Sequence, residues 1–240
     1  PAKAFVEPGV VDEVFVTANS IAEAIADEVT VTTTGSPTLN AWREAARDSG
    51  AISAIRHNLY REDPVGVVYA GGYGNASYTA SLKEFCDTAA QLGGSAHGGG
   101  GFAFAFSPHP GYSPSYEAGL FDSWGCSDVV HIIPLETLDI AHVVAASNVS
   151  LSQCSTVGGQ SISIGVPHAY LSLTCEDVFT NAELIPRATS ASALSSLLTD
   201  TFATEAYAVP PGDVVKAGIP LDATRRMAAR LEVLMGKGTP

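Results

Sequence analysis

The sequence predicts an α/β domain built on a doubly wound, Rossmann-like parallel sheet. Short apolar runs rich in β-branched and aromatic residues recur along the chain. Stretches with apolar residues at helical spacing separate them, and turns rich in Gly, Ser and Pro follow them. Strands that alternate with helical segments imply βαβ units, whose crossovers are right-handed.

Val14–Thr17 reads as a strand, Ser20–Asp27 as a short helix and Val29–Thr33 as a second β-branched run. Gly35-Ser36-Pro37 breaks the pattern, and Leu39–Asp48 and Ile52–Tyr60 have helical spacing. A regular series then starts with the apolar strand Val65–Ala70, which ends in Gly71-Gly72-Tyr73-Gly74. Tyr78–Leu92 is a helix with Leu82, Phe85, Ala89 and Leu92 on one face. Gly93–Gly101 is a long helix-to-strand loop rather than a linker, because the alternation continues beyond it. Phe102–Phe106 is a strand ending at Ser107-Pro108-His109-Pro110-Gly111, Tyr116–Trp124 a helix, and Val129–Ile133 a strand ending at Pro134. Helix Glu136–Ala146, strand Val149–Leu151, a helix opening after Ser155 and strand Pro167–Leu171 complete the alternation. Ala193–Phe202 and Ala223–Leu234 are helical, the latter with Arg225, Arg226 and Arg230 on its outer side. Residues 1–36 are expected to be a remnant of a preceding domain or a linker, and 37–240 the nucleotide-binding domain. A chain that begins at Pro1 is expected to be a processed or truncated product.

Composition narrows the function. A hydrophobic fraction of 46% supplies a sizeable core, and charged residues make up only 15%. The net charge of −13 excludes a general affinity for nucleic acid or anionic membranes. It does not exclude an anionic ligand held by backbone N–H groups. No apolar run is long enough to span a bilayer. Cys86, Cys126, Cys154 and Cys175 are widely spaced with no CxxC pair, which suits neither a zinc site nor a disulfide framework. The expectation is therefore reduced thiols and a cytoplasmic protein. Cys154 is also a conceivable thiol nucleophile.

The most informative segment is Ser152–Gln160, where a strand runs into small polar residues that open a helix. Ser155 and Thr156 are N-cap residue types, and Gly158 and Gly159 remove side-chain bulk nearby. The orphan N–H groups at such a start suit a phosphate; an ordinary capped helix packed on its strand is the bland alternative. Topology adds weight to the phosphate reading. With strands numbered from Val65 and ordered 3-2-1-4-5-6, the first and fourth are neighbours, and ligands bind in the crevice between their carboxyl ends. Those ends carry Gly71-Gly72 and Gln153–Thr156. His109, its backbone stiffened by flanking prolines, and the Pro134-Leu135-Glu136 turn fall on the same rim. His142 and His168 lie on predicted apolar faces and read as hydrogen-bonded core residues; Trp42 and Trp124 read as packing.

Gly35-Ser36-Pro37, Gly71-Gly72, His109-Pro110 and Ser152…Ser155-Thr156, in this order, resemble the C-terminal half of GT-B glycosyltransferases. Lipid A disaccharide synthase, UDP-GlcNAc 2-epimerases, CDP-glycerol transferases and bacterial sialyltransferases share this pattern, which covers roughly Val29 to the C-terminus. The resemblance implies a metal-independent nucleotide-sugar site without a cofactor. Ser152, Ser155, Thr156 and Gly158 would hold the donor phosphate, and His109, the candidate catalytic residue, would contact it. Pro134 and Leu135 would receive the base, and Gly71 and Gly72 would face the sugar-phosphate. Many relatives carry Glu at the ribose position, where this chain has Gln160. The acceptor-binding domain of such enzymes is largely missing, so a separate N-terminal half or a partner subunit is implied. An epimerase of the same fold, with Asp122, Asp128, Glu136 and Asp139 as available carboxylates, and a non-enzymatic nucleotide-binding or scaffold module are the alternatives. A dinucleotide fold is disfavoured because no GxGxxG opens a helix, and a Ser hydrolase because no GxSxG occurs.

Overall fold

The structure, a computed structural model, describes residues 13–27, 29–61, 65–72, 75–93, 101–111, 113–134, 138–172, 184–202 and 208–236. In chain order the elements are β1 (Glu13–Val16), α1 (Asn19–Ile25), β2 (Thr30–Thr33), α2 (Thr38–Ala45), α3 (Ser49–Tyr60), β3 (Val65–Ala70) and α4 (Ala76–Leu92). Next come β4 (Phe102–Ser107), α5 (Ser115–Trp124), β5 (Val130–Ile132), α6 (Ile140–Ala146), β6 (Val149–Ser152), α7 (Val157–Ser163) and β7 (His168–Leu171). The remainder is β8 (Arg187–Ala188), α8 (Ala191–Ser196), a π-helical turn (Leu197–Phe202), α9 (Pro211–Lys216) and α10 (Ala223–Leu234).

Six strands form one sheet in the order β5-β4-β3-β6-β7-β8, and every described pairing is parallel. This is the 3-2-1-4-5-6 winding expected from the sequence. Its faces follow from the two-residue period of β3. Val67 and Tyr69 point into a core shared with Leu82, Phe85, Phe121 and Leu194 from α4, α5 and α8. Val68 points the other way, toward Trp42, Tyr60, Val143 and Val144 from α2, α3 and α6. Edge-to-face and tilted rings of Phe85, Phe104, Phe106 and Phe121 fill the first layer. Both faces are covered, as a parallel sheet requires. Trp42 is a core residue, and Trp124 packs on Phe121, as expected.

Some expectations are corrected. Cys86 on α4 and Cys126 just after α5 form a disulfide, with Cα atoms 5.8 Å apart. The two helices lie on the same face of the sheet, so residues 40 apart in sequence meet in space. Cys154 is disulfide-bonded as well, which removes it as a thiol nucleophile. The reduced-thiol argument for a cytoplasmic location falls with these bonds. Helix α6 starts at Ile140 rather than Glu136, because Asp139 in extended conformation caps it, its carboxylate accepting from Ala141 N. The predicted helix over 193–202 is divided into α8 and the π-helical turn. Strand β8 and helix α9 were not foreseen. Arg230 does not simply face solvent: its Nε donates to both carboxylate oxygens of Glu13, at 2.9 and 3.1 Å, joining α10 to β1. Among the described residues, no helix is long and apolar enough to cross a membrane.

β1 and β2 form a separate two-stranded parallel sheet, in register from Glu13↔Thr30 to Val16↔Thr33. The chain leaves it through Gly35, whose φ of +85° suits glycine and where a Cβ would meet Pro220 O at 2.3 Å.

Candidate functional site

Register decides what meets at the carboxyl rim. Ala70 on β3 is paired with Ser107 on β4 and with Ser152 on β6. The loops after these three strands therefore start side by side. The loop after β5 lies one strand further out. Along the rim the order is Pro134, His109, Gly71-Gly72 and Ser152–Thr156. At about 4.8 Å per strand, the outer two loops are about 14 Å apart. The helix after β3 leaves toward one face and the helix after β6 toward the other, which opens a crevice between them.

Gly71 is a close-packing position. Its N–H donates to Ser107 O at 2.8 Å, and a Cβ here would meet His109 N at 2.8 Å. The missing side chain lets the His109 segment lie directly on the end of β3. Gly72 lies against the Tyr78 ring, which a Cβ would meet at 3.5 Å. The Gly71 amide is engaged within the sheet edge rather than set aside for a phosphate.

His109 is half-buried, and its Nδ1 accepts from Gly111 N at 3.1 Å. With Nδ1 accepting, a ring hydrogen sits on Nε2. Pro134 is exposed at the end of β5, and Leu135 lies outside the described residues.

The Ser152–Gln160 segment is braced from behind. Ser152 is buried, and its Oγ is 3.0 Å from His168 Nε2. His168 Nδ1 is 2.7 Å from Ser150 Oγ, which is 2.6 Å from Ser161 Oγ, and Ser161 donates to Val166 O at 3.0 Å. Counting hydrogens along this chain assigns each donor. The Ser161 proton goes to Val166 O, the Ser150 proton to Ser161, and His168 Nδ1–H to Ser150. Ser152 then donates to Nε2. Burial holds the His168 imidazole far below its ordinary value, at about 3, so the ring is neutral. The core-histidine reading is right for His168. His142 is instead half-exposed, with Nδ1 3.3 Å from Asp139. The Tyr170 hydroxyl donates to Ser155 O at 3.2 Å. Gly158 is buried against this pair: a Cβ would meet Tyr170 Oη at 2.6 Å and His168 Cδ2 at 3.0 Å.

In front, Ser155 Oγ accepts from Val157 N at 3.3 Å, whereas Thr156 has helical φ and ψ and no side-chain cap. Among the described residues, no acceptor engages the N–H of Ser155 or Thr156. Gln160 Nε2 donates to Thr38 Oγ1 at 3.3 Å, and its carboxamide oxygen is an acceptor of the kind a ribose hydroxyl needs. Gln153, not foreseen from the sequence, reaches across the crevice and donates to Ser77 Oγ on α4 at 2.9 Å.

The remaining buried carboxyl of this end is Glu117, in the first turn of α5. Tyr78 Oη donates to its Oε1 at 3.0 Å. The sequence carried a signal for it: Glu117 stands four residues before the buried Phe121, on the same helix face. The polar pairs Ser150/Ser152 and His168/Tyr170 likewise repeat with period two in otherwise apolar strands. Among the described residues, no group of three or more His, Cys, Asp or Glu side chains is placed to hold a metal.

No protein-family model matches the chain, and no curated protein matches it. Solved structures do. A UDP-GlcNAc 2-epimerase of Methanocaldococcus jannaschii, in complex with UDP-GlcNAc and UDP, superposes with a TM-score of 0.65 at 13% identity, over 93% of this chain and 61% of that one. The chain has the Rossmann-like fold of one half of a GT-B enzyme. A glycosyltransferase of Rickettsia africae matches this GT-B half with a TM-score of 0.64 at 10% identity, over 95% of this chain and 64% of that one. The wall teichoic acid polymerase TagF gives 0.55 at 12% identity, over 94% and 58%. The chain spans about 60% of the length of the structures it matches.

Proposed function

We propose that the rim between β3 and β6 binds a nucleotide-sugar and that the chain is the donor-binding half of a glycosyltransferase. The observation that carries this reading is the meeting of four loops at one sheet edge. There the N–H groups of Ser155 and Thr156, which no acceptor among the described residues engages, stand two strands away from the His109 loop, with β3 between them. Neutral donors suit a phosphate on a protein of net charge −13, because they need no surrounding basic patch. The likeness to structures that include a nucleotide-sugar enzyme caught with UDP-GlcNAc points the same way.

In this reading Ser155 and Thr156 hold the phosphate through backbone N–H groups, and His109 Nε2–H donates to a phosphate oxygen. Gln160 accepts from a ribose hydroxyl, and Pro134 and Leu135 border the base. Transfer to an acceptor hydroxyl breaks the bond between the sugar carbon and the phosphate oxygen, and negative charge grows on the departing phosphate. Donors already fixed at that oxygen lower the barrier. The base that takes the acceptor proton is not in this cluster; it belongs to an acceptor-binding half, on this or another polypeptide. Residues 1–36, with β1 and β2, are read as the edge of that half. A cytoplasmic location is retained only as part of this reading, since nucleotide-sugars are intracellular metabolites.

Calorimetric titration with UDP, CDP, GDP, CMP and UDP-GlcNAc tests the proposal. Saturable heat with at least one diphosphate is expected, and no heat with any of them overturns it. Incubation with UDP-GlcNAc then separates the two chemistries of this fold: free UDP signals transfer or hydrolysis, and a new hexosamine signals the epimerase.

A further inference from the structure

We propose that Glu117 is a positioning residue for the Gly71-Gly72 turn, acting through Tyr78; this rests on the nucleotide-sugar reading above. Glu117 is 2% exposed, and among the described residues its buried Oε2 has no hydrogen-bond partner. Its Oε1 accepts from the Tyr78 hydroxyl at 3.0 Å, and the Tyr78 ring packs on Gly72, where a Cβ would meet it at 3.5 Å. Carboxyl, phenol and turn form one continuous strut from the first turn of α5, past the first turn of α4, to the end of β3.

A structural purpose alone does not account for this carboxyl. It accepts from no backbone N–H of its own helix, so it is not a cap. A buried oxygen left unpaired is destabilising, and an apolar side chain of similar volume would fill the same space without that cost. Burial and the nearby carboxylate both push the Tyr78 phenol up, so the phenol stays protonated and its hydrogen points at Glu117. With that hydrogen committed, the Tyr78 ring is held against Gly72. Gly71 and Gly72 lack side chains to hold themselves, and Gly71 carries the His109 segment on its back. Loosening the turn therefore displaces the side of the crevice that carries His109.

The test uses the 240-residue chain with Glu117→Leu, Glu117→Gln and Tyr78→Phe. Leu removes the acceptor, whereas Gln keeps a carbonyl oxygen for the Tyr78 hydroxyl. Three quantities are read: urea stability, UDP affinity by calorimetry, and hydrogen exchange of the Gly72 amide without ligand. E117L is expected to be at least as stable as wild type, to bind UDP about tenfold more weakly, and to exchange its Gly72 amide at least tenfold faster. E117Q is expected to stay within about threefold of wild type in both affinity and exchange. Y78F is expected to match E117L in exchange. Unchanged Gly72 exchange in both E117L and Y78F overturns the strut, as does an E117Q variant that falls as far as E117L. Absence of UDP binding in the wild type removes the nucleotide reading alone, because the exchange measurement still decides whether the strut exists.

Discussion

His109 and His168 are two imidazoles with opposite surroundings, one after the end of β4 and one buried at the start of β7. His109 is half-buried, and its Nδ1 accepts from Gly111 N; the proposed reading gives its Nε2 the phosphate. Replacing it with Ala removes one charge-assisted hydrogen bond to phosphate and is expected to weaken UDP binding by about tenfold, or about 1.4 kcal/mol. Calorimetry checks this, and an unchanged affinity removes His109 from the site. His168 is neutral inside the protein down to a pH of about 3, against an ordinary value of 6.5. Between those values the unfolded chain binds a proton that the folded chain does not, so stability falls as pH falls. The loss is about 1.4 kcal/mol per pH unit for this group, hence about 2 kcal/mol between pH 6.5 and 5. Urea midpoints at pH 7.5 and 5 measure it; a midpoint that rises on acidification contradicts the buried neutral ring.

Among the elements, the β6–α7 connection shows how packing decides residue identity. Gly158 looks from the sequence like clearance for a ligand, but the space above it is taken by Tyr170 and His168 on β7. A Gly158→Ala variant must push Tyr170 Oη away from Ser155 O, and is expected to cost about 1–3 kcal/mol. Thermal denaturation of that variant checks the cost; unchanged stability would show that the brace is loose. The strands themselves were legible because β3 and β4 are uninterrupted apolar runs, and the winding followed from their spacing with helices. Strand β8 was not legible: two residues, Arg187 and Ala188, carry no periodicity to read. The start of α6 was misplaced because Glu136 and Leu138 continue a helical pattern in sequence, whereas the Asp139 cap sets the first turn. The meeting of loops at one edge was legible, since the winding alone brings Gly71, His109 and Ser155 together there. Its support was not, because Gln153–Ser77 and Tyr78–Glu117 join residues whose helices meet only in three dimensions.

For the molecule as a whole, the disulfide Cys86–Cys126 closes a loop of 40 residues that includes β4, α5 and His109. In the chain-entropy account such a loop contributes about 4 kcal/mol. Reduction, or Cys86→Ala with Cys126→Ala, is expected to lower the urea midpoint by a corresponding amount. An equal midpoint for oxidised and reduced protein would contradict that contribution. The same long-range logic ties the termini: Glu13, near the start of the described chain, and Arg230, near its end, form an ion pair beside the small β1–β2 sheet. The Arg230 guanidinium and the Thr32 hydroxyl hold the Glu13 carboxyl below its usual range. Nucleotide binding is assigned to one edge of the large sheet, and amide resonances followed during a titration with UDP decide whether it occurs there. Binding at the rim predicts that the Ser155 and Thr156 amides shift first and furthest, with His109 moving in step. Saturation that leaves those amides in place while resonances elsewhere move would place the nucleotide at another site and contradict the account.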